Sequence, residues 1–131
     1  MSIEPSRPPT ISPLRVLVIE DEPLVRLLLE DQLHDLGCVV AGEASRLPEA
    51  LRLAETGQFD LGLIDVLLDG ELAYPVAAVL QKRRIPFGFT SGVPHNQLDS
   101  AWAGVPFLDK PSPAGALAAF VASIVCTRRR F

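Results

Sequence analysis

Apolar residues recur along the chain in two alternating periods. The run RVLVIE, opening at Arg15, is β-branched, apolar and ends in an acid, which suits a strand buried on both faces of a parallel sheet. Beyond Pro23, residues Val25, Leu28, Leu29, Leu33 and Leu36 fall at helical spacing. Arg26, Glu30 and Asp31 lie off that stripe, and Gly37 stands where a C-terminal cap belongs. The strand CVVAGEA follows, then a second stripe of Leu47, Ala50, Leu51 and Ala54, with Pro48 in its first turn and Gly57 closing it. The strand LGLID ends at Asp65. A third helix is expected from Ala73 to Arg84 with Pro75 in its first turn, and Pro86 separates it from the strand FGFT, after which a loop starts at Ser91. Phe107 and Leu108 make a brief fifth strand. In the last helix Ser112 caps, Pro113 takes the first helical position, and Leu117, Phe120, Val121, Ile124 and Val125 form one apolar stripe.

Strands alternating with helices across short connections call for an α/β fold, a doubly wound five-stranded parallel sheet built from right-handed crossovers. One helix is doubtful in this pattern. Between Ser91 and Val105 the chain is polar and broken by Gly92, Pro94 and Gly104, so the fourth helix is short or absent, at most Asn96 to Ala103. Residues 1–13 hold four of the twelve prolines and no periodic apolar pattern, which predicts a flexible arm; residues 14–128 form the domain and 129–131 a tail.

Composition narrows the function classes. At 131 residues the chain fits a single core-bearing domain. Its 12 basic and 16 acidic side chains give a net charge of −4, so neither nucleic acid nor a membrane surface is an expected partner, and the run Arg128, Arg129, Arg130 is read as a solvated helix end. Cys38 and Cys126 sit in apolar stretches without metal-like spacing, as expected of buried free thiols in a reducing cytoplasm. His34 and His95 are read as exposed bystanders. No apolar run approaches the ~20 residues that span a bilayer.

Ligands in such sheets bind beyond the carboxyl ends of the strands. That rule gathers Glu20, Asp21, Asp65, Ser91 and Lys110 on one edge, since each falls at or just after a strand end. Three carboxylates so placed raise one another's pKa unless a cation neutralises them. Mg²⁺ suits, because it takes one or two carboxylates, keeps waters and leaves room for phosphate oxygens, while Lys110 and the Ser91 hydroxyl can meet a phosphoryl group.

The set RVLVIEDEP, LIDVLLDGE, PFGFTSG and DKP, in this order, resembles the receiver domain of two-component response regulators, a flavodoxin-like fold, from about Arg15 to Arg128. The resemblance implies that Asp65 is the phosphoacceptor. It implies that Glu20 and Asp21 are the acidic pair holding Mg²⁺ with Asp65 and the backbone carbonyl of Leu67, and that Lys110 is the family's lysine. Ser91 takes the hydroxyl position, counting from Pro86, in preference to Thr90. Phe107, three residues before the lysine, takes the aromatic switch position without the hydroxyl of a tyrosine. Lys110 follows Ser91 by 19 positions, which is short for the family and resembles stand-alone receivers with a Phe-x-Thr-Gly type motif. Asp69 and Glu71 are read as solvated loop residues outside the site.

The expected function is a signalling switch. A sensor histidine kinase or histidine phosphotransfer domain gives its phosphoryl group to Asp65, and the phosphorylated protein binds a downstream protein effector. The chain is then no enzyme beyond self-catalysed transfer and autodephosphorylation. Two rivals are a phosphate sink or relay, separable by phosphoryl lifetime and back-transfer, and a phosphorylation-independent adaptor. A phosphoester hydrolase fits poorly, because Leu67 stands where a second acid/base aspartate belongs.

Overall fold

A computed structural model describes residues 13–92, 98–110, 112 and 115–128. Five parallel strands, β1 (Arg15–Ile19), β2 (Val39–Ala44), β3 (Leu61–Asp65), β6 (Phe87–Ser91) and β7 (Phe107–Asp109), pair in the order β2-β1-β3-β6-β7. Helices α1 (Pro23–Asp35), α2 (Leu47–Thr56), α3 (Tyr74–Lys82) and α4 (Ala116–Arg128) connect or follow them. This is the doubly wound, flavodoxin-like arrangement that the alternation of periods implied.

Strand alternation divides the core. Leu17, Ile19 and Ile64 pack with Ala50, Ala54, Val76, Ala77 and Leu80 of α2 and α3, whereas Val16, Val18, Leu61 and Leu63 pack with α1 and α4 through Leu29, Leu33, Leu117, Phe120 and Ile124. Gly88 in the middle of β6 permits the second contact, since a Cβ there would lie 2.5 Å from the Phe120 ring and 2.8 Å from Ile124 Cδ1.

Several expectations need correction. On α1 only Leu29 and Leu33 are buried; Leu28 is 57% exposed and Leu36 43%, because the sheet offers α1 a seam narrower than the sequence stripe. Cys38 is buried as expected, but Cys126 is exposed on α4. The last helix begins at Ala116, not near Ser112, because Gly115 takes a left-handed φ of +87° that no helix continues through; Pro113 lies outside the described residues. Ser91 is the last residue of β6 and pairs with Asp109, so the loop starts after it. Segment 67–72, read as loop, is an antiparallel hairpin of β4 (Leu67–Leu68) and β5 (Glu71–Leu72).

The fourth helix of the expected pattern is reduced, among the described residues, to one 3-10 turn, Ser100–Trp102. Side chains hold this segment in place of helix packing. The Trp102 ring stacks on Tyr74 at 6.0 Å and 12°, and meets Phe87 and Phe89 edge-on at 6.0 and 5.9 Å. The Asp99 N–H donates to the Tyr74 hydroxyl at 3.0 Å, and the Asp99 carboxylate caps the turn by accepting from the Ala101 N–H at 2.9 Å. His95 and the start of the expected Asn96–Ala103 helix fall outside the described residues.

Gly88→Ala should lower unfolding free energy by about 1–3 kcal/mol, as overpacking does in a filled core. Gly104→Ala, whose Cβ meets nothing within 4 Å, should stay within about 1 kcal/mol of wild type in the same urea titration. Equal midpoints for the two variants would remove this account of the β6–α4 contact.

Candidate functional site

The strand ends deliver the polar residues to one edge. Val16, Val18 and Leu63 face α1 and α4, and continuing their alternation puts Glu20 and Asp65 on that same side at the carboxyl ends of β1 and β3. β7 ends at Asp109, and the Lys110 N–H that follows donates to the Ser91 carbonyl at 2.8 Å, which fixes the start of the lysine's reach.

The Lys110 side chain then turns inward. Its Nζ donates to Glu20 Oε1 at 2.8 Å and to Asp65 Oδ2 at 3.0 Å. Glu20 is fully buried, and its other oxygen, Oε2, accepts the Glu22 N–H at 3.1 Å. Asp65 is 4% exposed, and its Oδ1 accepts the Leu67 N–H at 3.3 Å. Ligand-capable oxygens of Glu20, Asp21 and Asp65 all lie within 4.8 Å of one another. Such a set of hard oxygen donors fits a small divalent cation better than any soft metal.

The electrostatics follow from burial. Burial, reinforced by the Glu20 carboxylate and opposed by the Lys110 ammonium, pushes Asp65 up to about 7. Burial also works against the charged form of Lys110, but its hydrogen bond to Glu20 and the charge of Asp65 outweigh that and raise it. Asp21 is partly exposed. Burial pushes its carboxyl up, yet hydrogen bonds led by the Asp69 N–H outweigh it and hold Asp21 below the usual range.

The two hydroxyls differ in placement. Thr90 pairs in register with Asp65 and, with Glu20, Asp21 and Lys110, lines a groove of about 580 Å³ against Leu24, Val25 and Leu28 of α1. Ser91, also buried, is one residue nearer the strand's end. Phe107 is half-buried on β7 against the α2/α3 side of the core. His34 is exposed and remote in sequence from this edge.

Residues 16–89, over half of the chain, match the family described as response regulator receiver domain. The chain belongs to this family. The transcriptional regulatory protein PdtaR of Mycobacterium tuberculosis is 37% identical over 73 residues, 56% of this chain and 36% of PdtaR, so the chain spans about a third of that relative's length. The solution structure of SdrG from Sphingomonas melonis Fr1 superposes with a TM-score of 0.79 at 34% identity, covering 88% of this chain and 99% of SdrG. A BeF₃-activated SdrG structure gives 0.75 at 35% identity over 88% and 99%. The anti-anti-sigma factor PhyR of Bartonella quintana gives 0.77 at 26% identity, covering 91% of this chain and 51% of PhyR. Among the described residues, no helix of this receiver domain is long and apolar enough to cross a membrane.

Sequence reasoning missed Asp69. Its backbone N–H donates to Asp21 Oδ2 at 2.9 Å, and its carboxylate lies 3.8 Å from Arg46 Nε in an exposed pair of little energetic weight. The signal was present in the dipeptide Asp69-Gly70 between Leu67-Leu68 and Glu71-Leu72, the strongest short hairpin signature.

The raised Asp65 pKa carries a stability consequence. Between its ordinary 3.8 and about 7, the folded protein holds a proton that the unfolded chain has released, so metal-free stability should fall as pH rises through that window and level off above it. Asp65→Asn should flatten this fall in urea midpoints measured from pH 4.5 to 8. Parallel curves for the two proteins would show that Asp65 does not titrate there.

Proposed function

We propose that this receiver domain accepts a phosphoryl group on Asp65 in a Mg²⁺-dependent reaction and signals by phosphorylation-dependent protein binding. The observation that carries this reading is the convergence of a buried aspartate, a lysine ammonium 3.0 Å from it and two further carboxylates at one strand edge. An Asp65 oxygen attacks the phosphorus of a phosphohistidine donor, on a sensor kinase or a phosphotransfer domain. The new O–P bond forms as the P–N bond breaks, and its electron pair leaves on the imidazole nitrogen. Asp21 and Asp65, with Glu20 beside them and the Leu67 carbonyl, would hold Mg²⁺, which supplies neutralisation of the charge on the phosphoryl oxygens. Lys110 pairs with the same oxygens. Water later attacks the phosphorus and restores the carboxylate, so the chain acts on itself and turns over no separate substrate.

A phosphoryl group extends Asp65 beyond the end of β3, level with the residue after its register partner Thr90. In this reading Ser91, the partner of Asp109, supplies the hydroxyl drawn to the phosphoryl group, and Phe107, two strand positions before Asp109, follows it. More than half of each of Leu24, Leu27 and Leu28 is exposed on α1, and Leu24 and Leu28 line the groove at the acidic pocket. This apolar surface beside the reacting aspartate suits a docking phosphohistidine protein. Likeness to a BeF₃-activated SdrG and to a protein described as an anti-anti-sigma factor supports a phosphoryl-type switch whose effector is a protein.

Incubation with acetyl phosphate and Mg²⁺ should add one phosphoryl group to the wild type by intact mass. Asp65→Asn should remain unmodified, and chelation should abolish the reaction. Ser91→Ala should slow modification roughly tenfold to a hundredfold, as loss of one phosphoryl-oxygen donor does, with Thr90→Ala close to wild type. Unmodified wild type, or modification of Asp65→Asn to the same extent, would sink the proposal.

A further inference from the structure

The hairpin that follows Asp65 touches the acidic pocket from a second direction. Its register, Leu67 with Leu72 and Leu68 with Glu71, leaves Asp69 and Gly70 as a two-residue turn. Both take left-handed φ values, +50° and +81°, the pair that a type I′ turn demands. In that turn the Asp69 N–H points away from the hairpin ladder and reaches Asp21 Oδ2 at 2.9 Å, across 48 positions of sequence.

The hairpin is itself fastened. Leu68 is fully buried, the Ala73 N–H donates to the Val66 carbonyl at 2.8 Å, and the Leu67 N–H donates to Asp65 Oδ1 at 3.3 Å. A donor on such a base fixes the carboxylate it holds, whereas Asp21 is otherwise a partly exposed side chain with rotamers to lose.

We propose that the Asp69–Gly70 turn is a positioning element of the cation site: the Asp69 N–H occupies one Asp21 oxygen and aims the other at the cation. This rests on the Mg²⁺ reading above. Single-oxygen binding is what Mg²⁺ favours, since it keeps several waters and tolerates little departure from octahedral geometry. The turn also ends the strand that carries Leu67, so one two-stranded element orients both the Asp21 carboxylate and the Leu67 carbonyl.

Isothermal titration of the unphosphorylated protein with MgCl₂ tests this, with Gly37 as an internal control. Gly37 and Gly70 share a φ of +81°, and a Cβ at either meets no atom within 4 Å, so alanine at each imposes the same backbone strain and nothing else. Gly70→Ala should weaken Mg²⁺ binding roughly five- to tenfold, the scale of left-handed strain relaxed by moving the turn. Gly37→Ala, at the far end of α1, should lose similar stability in urea and keep the wild-type Kd. Gly70→Asn, which tolerates left-handed backbone, should restore binding. Asp69→Gly, which keeps the N–H and the turn but removes the carboxylate, should stay within about twofold.

Wild-type affinity in Gly70→Ala would overturn the positioning role. So would equal weakening by Gly37→Ala, which would make it global, or by Asp69→Gly, which would assign it to side-chain charge. Failure of the wild type to bind Mg²⁺ would instead overturn the metal reading, and this inference with it.

Discussion

A half-buried ammonium bridging two buried carboxylates organises this molecule. Lys110 lies within 3.0 Å of both Glu20 and Asp65, at the ends of three strands that are far apart in sequence. Each of these ions costs several kcal/mol to desolvate, and none is tolerable at that depth alone. The ends of β1, β3 and β7 are therefore bound to one another by charge as well as by backbone pairing. Loss of any one partner strands the others, so the site and the sheet edge share one fate. The same cluster carries three formal charges of which two are negative. An uncompensated negative charge remains, which adds to the burial that pushes Asp65 up to about 7 and which a bound cation would offset.

The fold was legible because each element announces itself by period and punctuation. Buried strands such as LGLID carry no polar residue until the aspartate at their end, and α1 and α2 show proline in the first turn and glycine just past the end. Glu20, Asp21, Asp65 and Lys110 were legible for a related reason, since an acid or lysine that ends a buried apolar strand has no structural purpose beyond the edge it reaches. Their mutual distances were not legible. Those depend on strand register and twist, which a one-dimensional pattern does not encode.

What sequence reading missed or misplaced has local physical causes. Leu28 and Leu36 sit at helical spacing yet stay exposed, because spacing specifies a face and the width of the sheet seam specifies how much of that face is covered. The last helix begins at Ala116, directly after left-handed Gly115, while Pro113 of the expected cap lies outside the described residues. In residues 98–105 no apolar stripe forms, because Trp102 inserts among Tyr74, Phe87 and Phe89 with Leu98 and Val105 partly buried on the same core, a spacing that leaves no helical period to detect.

The hairpin after Asp65 shows how the two kinds of information combine. Its turn dipeptide is a local signal, readable from two letters, while its consequence is a long-range contact with Asp21 that only the folded sheet creates. The backbone N–H that makes the contact cannot be deleted by a side-chain change, only displaced by denying Gly70 its conformation. A charge cluster that fixes Asp65 and Glu20 through Lys110 leaves Asp21 as the one member of the acidic set outside the lysine's reach among the described contacts. A rigid turn supplies from the backbone what the lysine does not supply from its side chain. The pocket is thus held on one side by charge and on the other by a main-chain amide, and a bound cation would meet carboxylates already oriented from both directions.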